Sequence, residues 1–304
     1  MMSIQNSRSD RIFNAVNCTI MILLLGIMIY PLFFVIIASL SDPYQVANGQ
    51  AFIWPKGFTV ESYQNVFRET RVWTGYRNTI VYTVFGTLLS LILTIPAGYV
   101  LSKKNLAGRR FWQVFYLIPM YFGGGLLPTY LAIKSYGLIN QWYTLIVLDC
   151  LSIYNIIVTR AFFQTSIPDE LYESARIDGA SEFRVFFQLA LPLAGAIVAV
   201  IALYYAVDRW NGYFSALIYT SKSTYQPLQI VLRGILLQNE MALANITTDT
   251  AMSEEQLQAL AQQAYMAESM KYSLVVVASL PLLIAYPFVQ KFFVKGVLIG
   301  SVKG

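Results

Sequence analysis

The sequence predicts an all-α, polytopic membrane protein, and three observations carry that class. Of 304 residues, 57% are hydrophobic and only 12% charged, about half the charged share of a soluble chain. Six apolar stretches reach the roughly 20 residues that a helix needs to cross the hydrocarbon core: 20–40, 79–101, 111–133, 142–163, 189–207 and 272–293. The basic residues gather at the ends of those stretches. That distribution orients a membrane protein, and it removes nucleic acid as the meaning of the +5 formal charge.

The first stretch follows Arg8 and Arg11. Its apolar run is too long for a secretory signal and no small-residue cleavage site follows it, so it reads as a retained anchor. Between the second and third stretches lies a nine-residue loop, 102–110, with Lys103, Lys104, Arg109 and Arg110 and no acid. The positive-inside rule makes this loop cytoplasmic. Counting crossings from it predicts cytoplasmic N- and C-termini and a cytoplasmic 164–188 loop. The Arg8/Arg11 pair and Lys291, Lys295 and Lys303 agree.

Three connections then fall outside. The 41–78 loop holds Trp54-Pro55-Lys56-Gly57, a turn signal. The 134–141 loop is short. The 208–271 insertion is the largest, and Ser253-Glu254-Glu255-Gln256 reads as the capped start of a helix running to about Met270. The economical division is an anchor helix with its first outer loop, 1–77, followed by one membrane core, 78–304.

Two stretches are not uniform. The third contains Pro119, Gly123-Gly124-Gly125 and Pro128, and the sixth contains Pro281 and Pro287. Such residues interrupt membrane helices where a water-lined path or neighbouring protein satisfies the freed backbone. Both readings, path and kinked packing, stay open.

Several chemistries are excluded. The chain has no histidine, so imidazole catalysis and histidine metal ligation are absent. It has no Walker-type phosphate loop. Cys18 and Cys150 fall in or beside different apolar stretches and read as small core residues.

The densest polar segment among the apolar ones is Glu173-Ser174-Ala175-Arg176-Ile177-Asp178-Gly179-Ala180. Acids and arginines persist in such a chain only where they meet water or another protein. Pro168-Asp169-Glu170 signals a helix start. Residues 170–175 then form a short helix and Gly179 stops it, taking φ > 0. Phe183, Phe186 and Phe187 supply an apolar face, and Pro192 opens the next span. The expected product is a helix–turn–helix lever that is rigid and continuous with the fifth span.

These residues resemble the membrane-spanning permease subunits of ATP-binding-cassette importers. The family signature is Glu-Ala-Ala, three residues, Gly, nine residues, then Ile-x-Leu-Pro. This chain reads Glu173-Ser174-Ala175, three residues, Gly179, nine residues, Leu189-Ala190-Leu191-Pro192. Ser174 and Leu189 are the departures. Asp178-Gly179-Ala180, Trp210-Asn211, Trp54-Pro55-Lys56-Gly57-Phe58-Thr59 and the tail from Tyr286 to Gly296 resemble the carbohydrate-uptake class, its oligosaccharide branch in particular.

The resemblance implies a type I importer permease in a bacterial cytoplasmic membrane. It implies a second homologous permease, two ATPase subunits that bind the ATP and magnesium, an extracytoplasmic sugar-binding protein and an oligosaccharide cargo. No cofactor and no catalytic centre are expected in this chain. Coupling to the ATPases is assigned by the resemblance to Glu173, Ser174, Ala175, Asp178, Gly179, Ala180, Leu191 and Pro192.

Sugars ask for flat aromatic faces and convergent hydrogen-bonding groups. The end of the fifth stretch offers Tyr204, Tyr205, Asp208, Arg209, Trp210, Asn211 and Tyr213. Tyr204, Asp208 and Asn211 share one helical face, with Tyr205 and Arg209 beside them. An interfacial aromatic belt would also enrich Tyr and Trp here, although it leaves Asp208 and Asn211 unexplained. Asp149 is the one acid well inside an apolar stretch. It either lines the path, with Tyr154 and Asn155, or bonds a neighbouring helix.

An importer for amino acids, phosphate or metal is the nearest alternative, opposed by the tail and the Trp210-Asn211 pair. A secondary transporter would carry inverted repeats and coupling-ion acids in its core. For a membrane-embedded enzyme the sequence offers no histidine and no clustered acids of the metal-binding kind.

Overall fold

A computed structural model describes residues 8–246, 265–267, 269–287 and 290, and every regular element among them is helical. In chain order these are α1 (Arg8–Ser39), α2 (Pro43–Ala47), α3 (Glu61–Arg68) and α4 (Thr70–Ser102). Then come α5 (Arg109–Tyr121), α6 (Leu126–Ser135), α7 (Thr144–Val147) and α8 (Ile153–Thr165). The polar segment follows as α9 (Asp169–Ile177) and α10 (Glu182–Arg184), with a π-helical stretch Val185–Ala190 leading into α11 (Leu191–Leu193). Last are α12 (Gly195–Asn211), α13 (Phe214–Tyr219), a 3-10 turn Ser223–Tyr225, α14 (Leu228–Ile246) and α15 (Tyr265–Pro287).

Three described helices are long and apolar enough to cross a membrane: Ser9–Ser39, Thr70–Ser102 and Tyr265–Pro287. The third, fourth and fifth apolar stretches are interrupted. α5 and α6 meet at 113° through Gly123-Gly124-Gly125, where Gly125 takes φ +82°. The helix ending at Leu193 meets α12 at 78°.

The fourth stretch corrects the expectation of a continuous helix. α7 is one turn long, Leu148 is extended, Asp149 takes φ +57°, and α8 restarts at Ile153 under a Ser152 cap. A left-handed aspartate cannot sit inside an α-helix, so the helix breaks there.

The bend after Leu193 corrects a second expectation. The lever is not one straight rod with the fifth span, because Ala194 turns the chain between them.

The described residues form two compact units, 1–69 with 234–279 and 70–233 with 280–304. In the first, Ile37, Ala38, Val46 and Ala51 make a small core, with Phe34 and Tyr272 edge-to-face at 5.7 Å. Asp42 caps α2 by accepting from Tyr44 N–H and Gln45 N–H. Its own N–H donates to Lys56 O at 2.9 Å, which closes the 54–57 turn, and Gly57 takes φ +61° there. Cys18 is exposed on α1 rather than in a core, on a strongly apolar helix that this chain hardly buries.

The second unit packs α8 and α12 against α4. Its core comprises Ile95, Tyr99, Phe163, Ile167, Tyr172, Val185, Phe186, Ile197, Ile201 and Tyr205. Small residues on α4 permit the close approach: a Cβ at Gly98 would stand 2.7 Å from Thr159 Cβ. The 224–228 chain is tied to α4 by polar pairs. Asn78 Nδ2 donates to Thr224 O and Gln226 O, Tyr82 OH donates to Tyr225 O, and Leu228 N–H donates to Thr79 Oγ1. These bonds satisfy backbone groups that an apolar setting would otherwise leave unpaired.

Of the expected helix from Ser253 to about Met270, residues 253–264 lie outside the described residues, and its end belongs to α15; Lys291, Lys295 and Lys303 of the tail lie outside as well.

Candidate functional site: a polar helix and a walled cavity

α9 follows directly from its residues. Pro168 precedes the first turn and Asp169 and Glu170 occupy it, where the helix dipole favours acids. At the other end Gly179 takes φ +73°. Its N–H donates to Arg176 O at 3.0 Å, and Ala180 N–H donates to Ala175 O at 3.0 Å. That is the Schellman termination, with bonds six-to-one and five-to-two.

The spacing in the motif therefore has a mechanical content. Ala175 and Ala180 are the two residues whose backbones bond across this stop, and both pack against the core. A larger residue at either position would push α9 off its seat. Nothing lies within 4 Å of a Cβ built on Gly179, so glycine is there for its backbone and not for space.

One face of α9 is gripped. Tyr172 is buried beside Tyr99, ring centroids 6.2 Å apart. Lys103, just past the end of α4, lays its ammonium 3.3 Å from the Tyr172 ring centre and 4.2 Å from that of Tyr99. Burial pushes the Lys103 pKa down to about 8, while the two ring faces favour its charge. Burial also pushes the Tyr172 hydroxyl up to about 12.

Lys104 Nζ pairs with Asp169 at 2.6 Å and Arg176 with Glu182 at 2.9 Å, both on the surface. The Lys104 bond and charge hold the Asp169 carboxyl below its ordinary range. The opposite face is open, with Glu173, Ser174, Asp178 and Gly179 exposed and Ile177 87% exposed. Phe186 is buried as expected, but Phe183 and Phe187 are exposed, so the three phenylalanines do not make one packed face. Leu191 is half-buried, and Pro192 is exposed inside α11, ahead of the bend at Ala194.

The second feature is a cavity of about 1220 Å³. It brings together nearly the whole predicted path: Asp149, Tyr154, Asn155, Tyr204, Tyr205, Asp208, Arg209, Asn211 and Tyr213 all line it. Trp210 does not. It is buried on another face of α12, its ring 6.4 Å from that of Tyr76, as a residue next to both Arg209 and Asn211 must be when those two face the cavity. Gly123-Gly124-Gly125 does not line this cavity either.

Within the wall the predicted residues divide by exposure. Tyr154, Tyr204, Asp208 and Asn211 are exposed. Asp149 is exposed too and accepts from Ser215 Oγ at 2.9 Å. Tyr205 is buried, and its hydroxyl accepts from Ser152 N–H at 3.0 Å and shares a 2.7 Å bond with Thr94 Oγ1. Arg209 donates to Leu145 O at 2.6 Å, Ser90 Oγ at 3.2 Å and Leu148 O at 3.4 Å.

Sequence reasoning missed Gly86, Ser90 and Thr94 of α4, and Ser152 and Ser215. A signal existed for the first three. Gly86, Ser90, Thr94 and Gly98 recur every fourth residue, a small-residue stripe in an apolar helix.

Comparison with known proteins places this geometry. Residues 72–299 match the family described as binding-protein-dependent transport system inner membrane component. Protein LplC of Bacillus subtilis (strain 168) is 38% identical, over 99% of this chain and 98% of its own length. The polygalacturonan/rhamnogalacturonan transport system permease protein YtcP of the same organism is 32% identical, over 97% and 99%. Among solved structures, a bacterial ABC transporter involved in the import of the acidic polysaccharide alginate superposes with a TM-score of 0.83. It is 33% identical, and the match covers 96% of this chain and 100% of that one. Motif, helical architecture and relatives converge: the chain belongs to the binding-protein-dependent transport system inner membrane components, the membrane-spanning permeases of ABC importers.

Proposed function

We propose that this chain is the permease subunit of an ATP-driven importer that carries an oligosaccharide across the cytoplasmic membrane by alternating access. The observation that carries the coupling half of this reading is α9. It is a short helix seated on the core by Tyr172 and Lys103, stopped by a Schellman turn, with its acids and Ile177 left open on the other face. Such a helix can be held from outside without being pulled apart.

Partner ATPases bind ATP and magnesium, close around the 164–188 loop and move it. A second homologous permease completes the pathway, and an extracytoplasmic sugar-binding protein delivers the cargo, with 208–271 as its docking segment. The basic 102–110 loop orients the chain with α9 on the cytoplasmic side. This chain itself needs no cofactor.

The cargo assignment is supported by the cavity chemistry, tyrosines with carboxylates and an amide, and by relatives named for polygalacturonan, arabinooligosaccharide and maltodextrin transport. Gentle purification of the chain from its native membrane tests the assembly: an ATPase and a second permease come with it. Recovery of the chain with neither would remove the proposal. Glycan binding by the sugar-binding protein that serves the complex, measured by calorimetry, identifies the cargo.

A further inference from the structure

Wherever a membrane helix is interrupted, the carbonyls that end one piece and the N–H groups that begin the next lose their helical partners. At the 148–152 interruption Ser152 caps Asn155 N–H locally, and two carbonyls and one further N–H find partners on a single neighbouring helix. Arg209 takes Leu145 O and Leu148 O at the end of α7, and the Tyr205 hydroxyl takes Ser152 N–H at the start of α8. Both side chains continue to α4, Arg209 to Ser90 Oγ and Tyr205 to Thr94 Oγ1.

The pairing has a register. Tyr205 and Arg209 stand four apart on α12, and Ser90 and Thr94 stand four apart on α4, so each pair lies on one face. Gly86, one turn further along that face of α4, makes the room. A Cβ there would stand 2.5 Å from Arg209 Cζ, Nε and Nη1. Between the two gripped points, Leu148 and Ser152, sits Asp149, at φ +57° and open to the cavity.

We propose that Tyr205 and Arg209 are positioning residues: a two-rung clasp that holds the broken fourth span open on the cavity and fixes Asp149 in its wall. They act through the backbone at 145–152 and do not touch cargo. Both terminal nitrogens of the guanidinium are engaged by Leu145 O, Leu148 O and Ser90 Oγ, which leaves Asp149 and Asp208 as the wall's exposed charges. The cargo they suit is a polyhydroxylated one that donates hydroxyl hydrogens to carboxylates. The inference rests on reading this cavity as the path.

The test uses the assembled transporter in lipid vesicles, in a Cys18→Ser, Cys150→Ser background. Asp149→Cys reports the position of the wall through its rate of labelling by a charged thiol reagent, and uptake per ATP hydrolysed is measured with Asp149 intact. Arg209→Lys replaces a planar fork with a point charge that reaches one carbonyl, and should lower uptake per ATP about tenfold. Gly86→Ala, which lines no part of the cavity, should displace the guanidinium and give a loss of the same order. The double variant should be no worse than Arg209→Lys alone, because both act on one contact.

Each variant should also change labelling at 149 by about threefold or more. A silent Gly86→Ala, or effects that multiply in the double variant, would overturn the clasp. Tyr205→Phe keeps the ring and loses the hydroxyl, so labelling at 149 in that variant decides the matter if the others do not assemble. Failure of the pathway reading looks different: Asp149→Asn and Tyr204→Ala would leave uptake unchanged while the labelling shifts remained.

Discussion

The α9 segment and the cavity wall are both polar islands in an apolar chain, yet they are built in opposite ways. α9 is made by near neighbours: its cap, its stop and the Arg176–Glu182 pair join residues within six positions of one another. The wall is made by distant ones. Arg209 meets Leu145 across 64 positions and Ser90 across 119, and Tyr205 meets Thr94 across 111. A part that is gripped and moved must hold its own shape, and local bonds travel with it. A part that lines a path between spans must be held by those spans, so its residues come from all of them.

This contrast is broken most readily at Gly179. Gly179→Val forces a β-branched residue to φ +73° with no steric neighbour involved, at a cost of about 1–2 kcal/mol or more. Substrate-stimulated ATP hydrolysis by the assembled complex should fall at least about tenfold while membrane insertion is unchanged. Gly179→Asn tolerates that backbone and should keep most of the stimulation. Equal loss in both variants would mean that the backbone conformation is not what matters.

Asp149 is the matching test on the wall. Asp149→Gly relieves the left-handed strain and should leave thermal stability equal or higher, while uptake falls several-fold because the carboxylate is gone. Loss of stability in parallel with uptake would reduce Asp149 to a structural part.

Lys103 sharpens the other side. Lys103→Met keeps the apolar stem and loses two ring contacts, each worth about 0.5–1 kcal/mol, so coupling should weaken about threefold. The lysine's folded pKa, about 8, lies below its ordinary value of 10.5. Between those values the unfolded chain holds more protons, so this group's contribution to stability rises with pH in that window. The difference in melting temperature between the wild type and Lys103→Met should therefore change between pH 8 and 10 and be flat below 7.

The smallest effect belongs to Lys104→Ala. Its pair with Asp169 is exposed on both sides, where water and salt screen it, so the melting temperature should hardly move. A larger change in melting temperature would make the pair part of the seat.

Much of this was legible in the residues. Alanine at 175 and glycine at 179 are set by bonds within one turn, so the stop of α9 and the sign of φ at Gly179 could be read directly. The faces of α12 were legible as well, because helical periodicity placed Tyr204, Asp208 and Asn211 together. Trp210 is the exception: its indole suits a sugar path, but its angle on α12 turns it away from the cavity.

The break at Asp149 was not legible. A run such as Trp142 to Phe163 has the length and composition of a continuous span. The apolar pattern reports what the surroundings are, and says nothing of whether another helix will supply hydrogen bonds to a gap.

The amino-acid order alone determined the helical membrane class, the polar elbow with its glycine stop, and the set of side chains offered to a cavity. Those depend on composition, on short-range backbone bonds and on a 3.6-residue period, all of which act within a few positions. The tertiary structure alone decided that the fourth apolar stretch is interrupted, that Arg209 and Tyr205 bond its backbone, and that Trp210 turns away. An interrupted helix in an apolar medium persists only where distant groups replace its missing bonds, and their arrival depends on the packing of α4, α8 and α12 as one body.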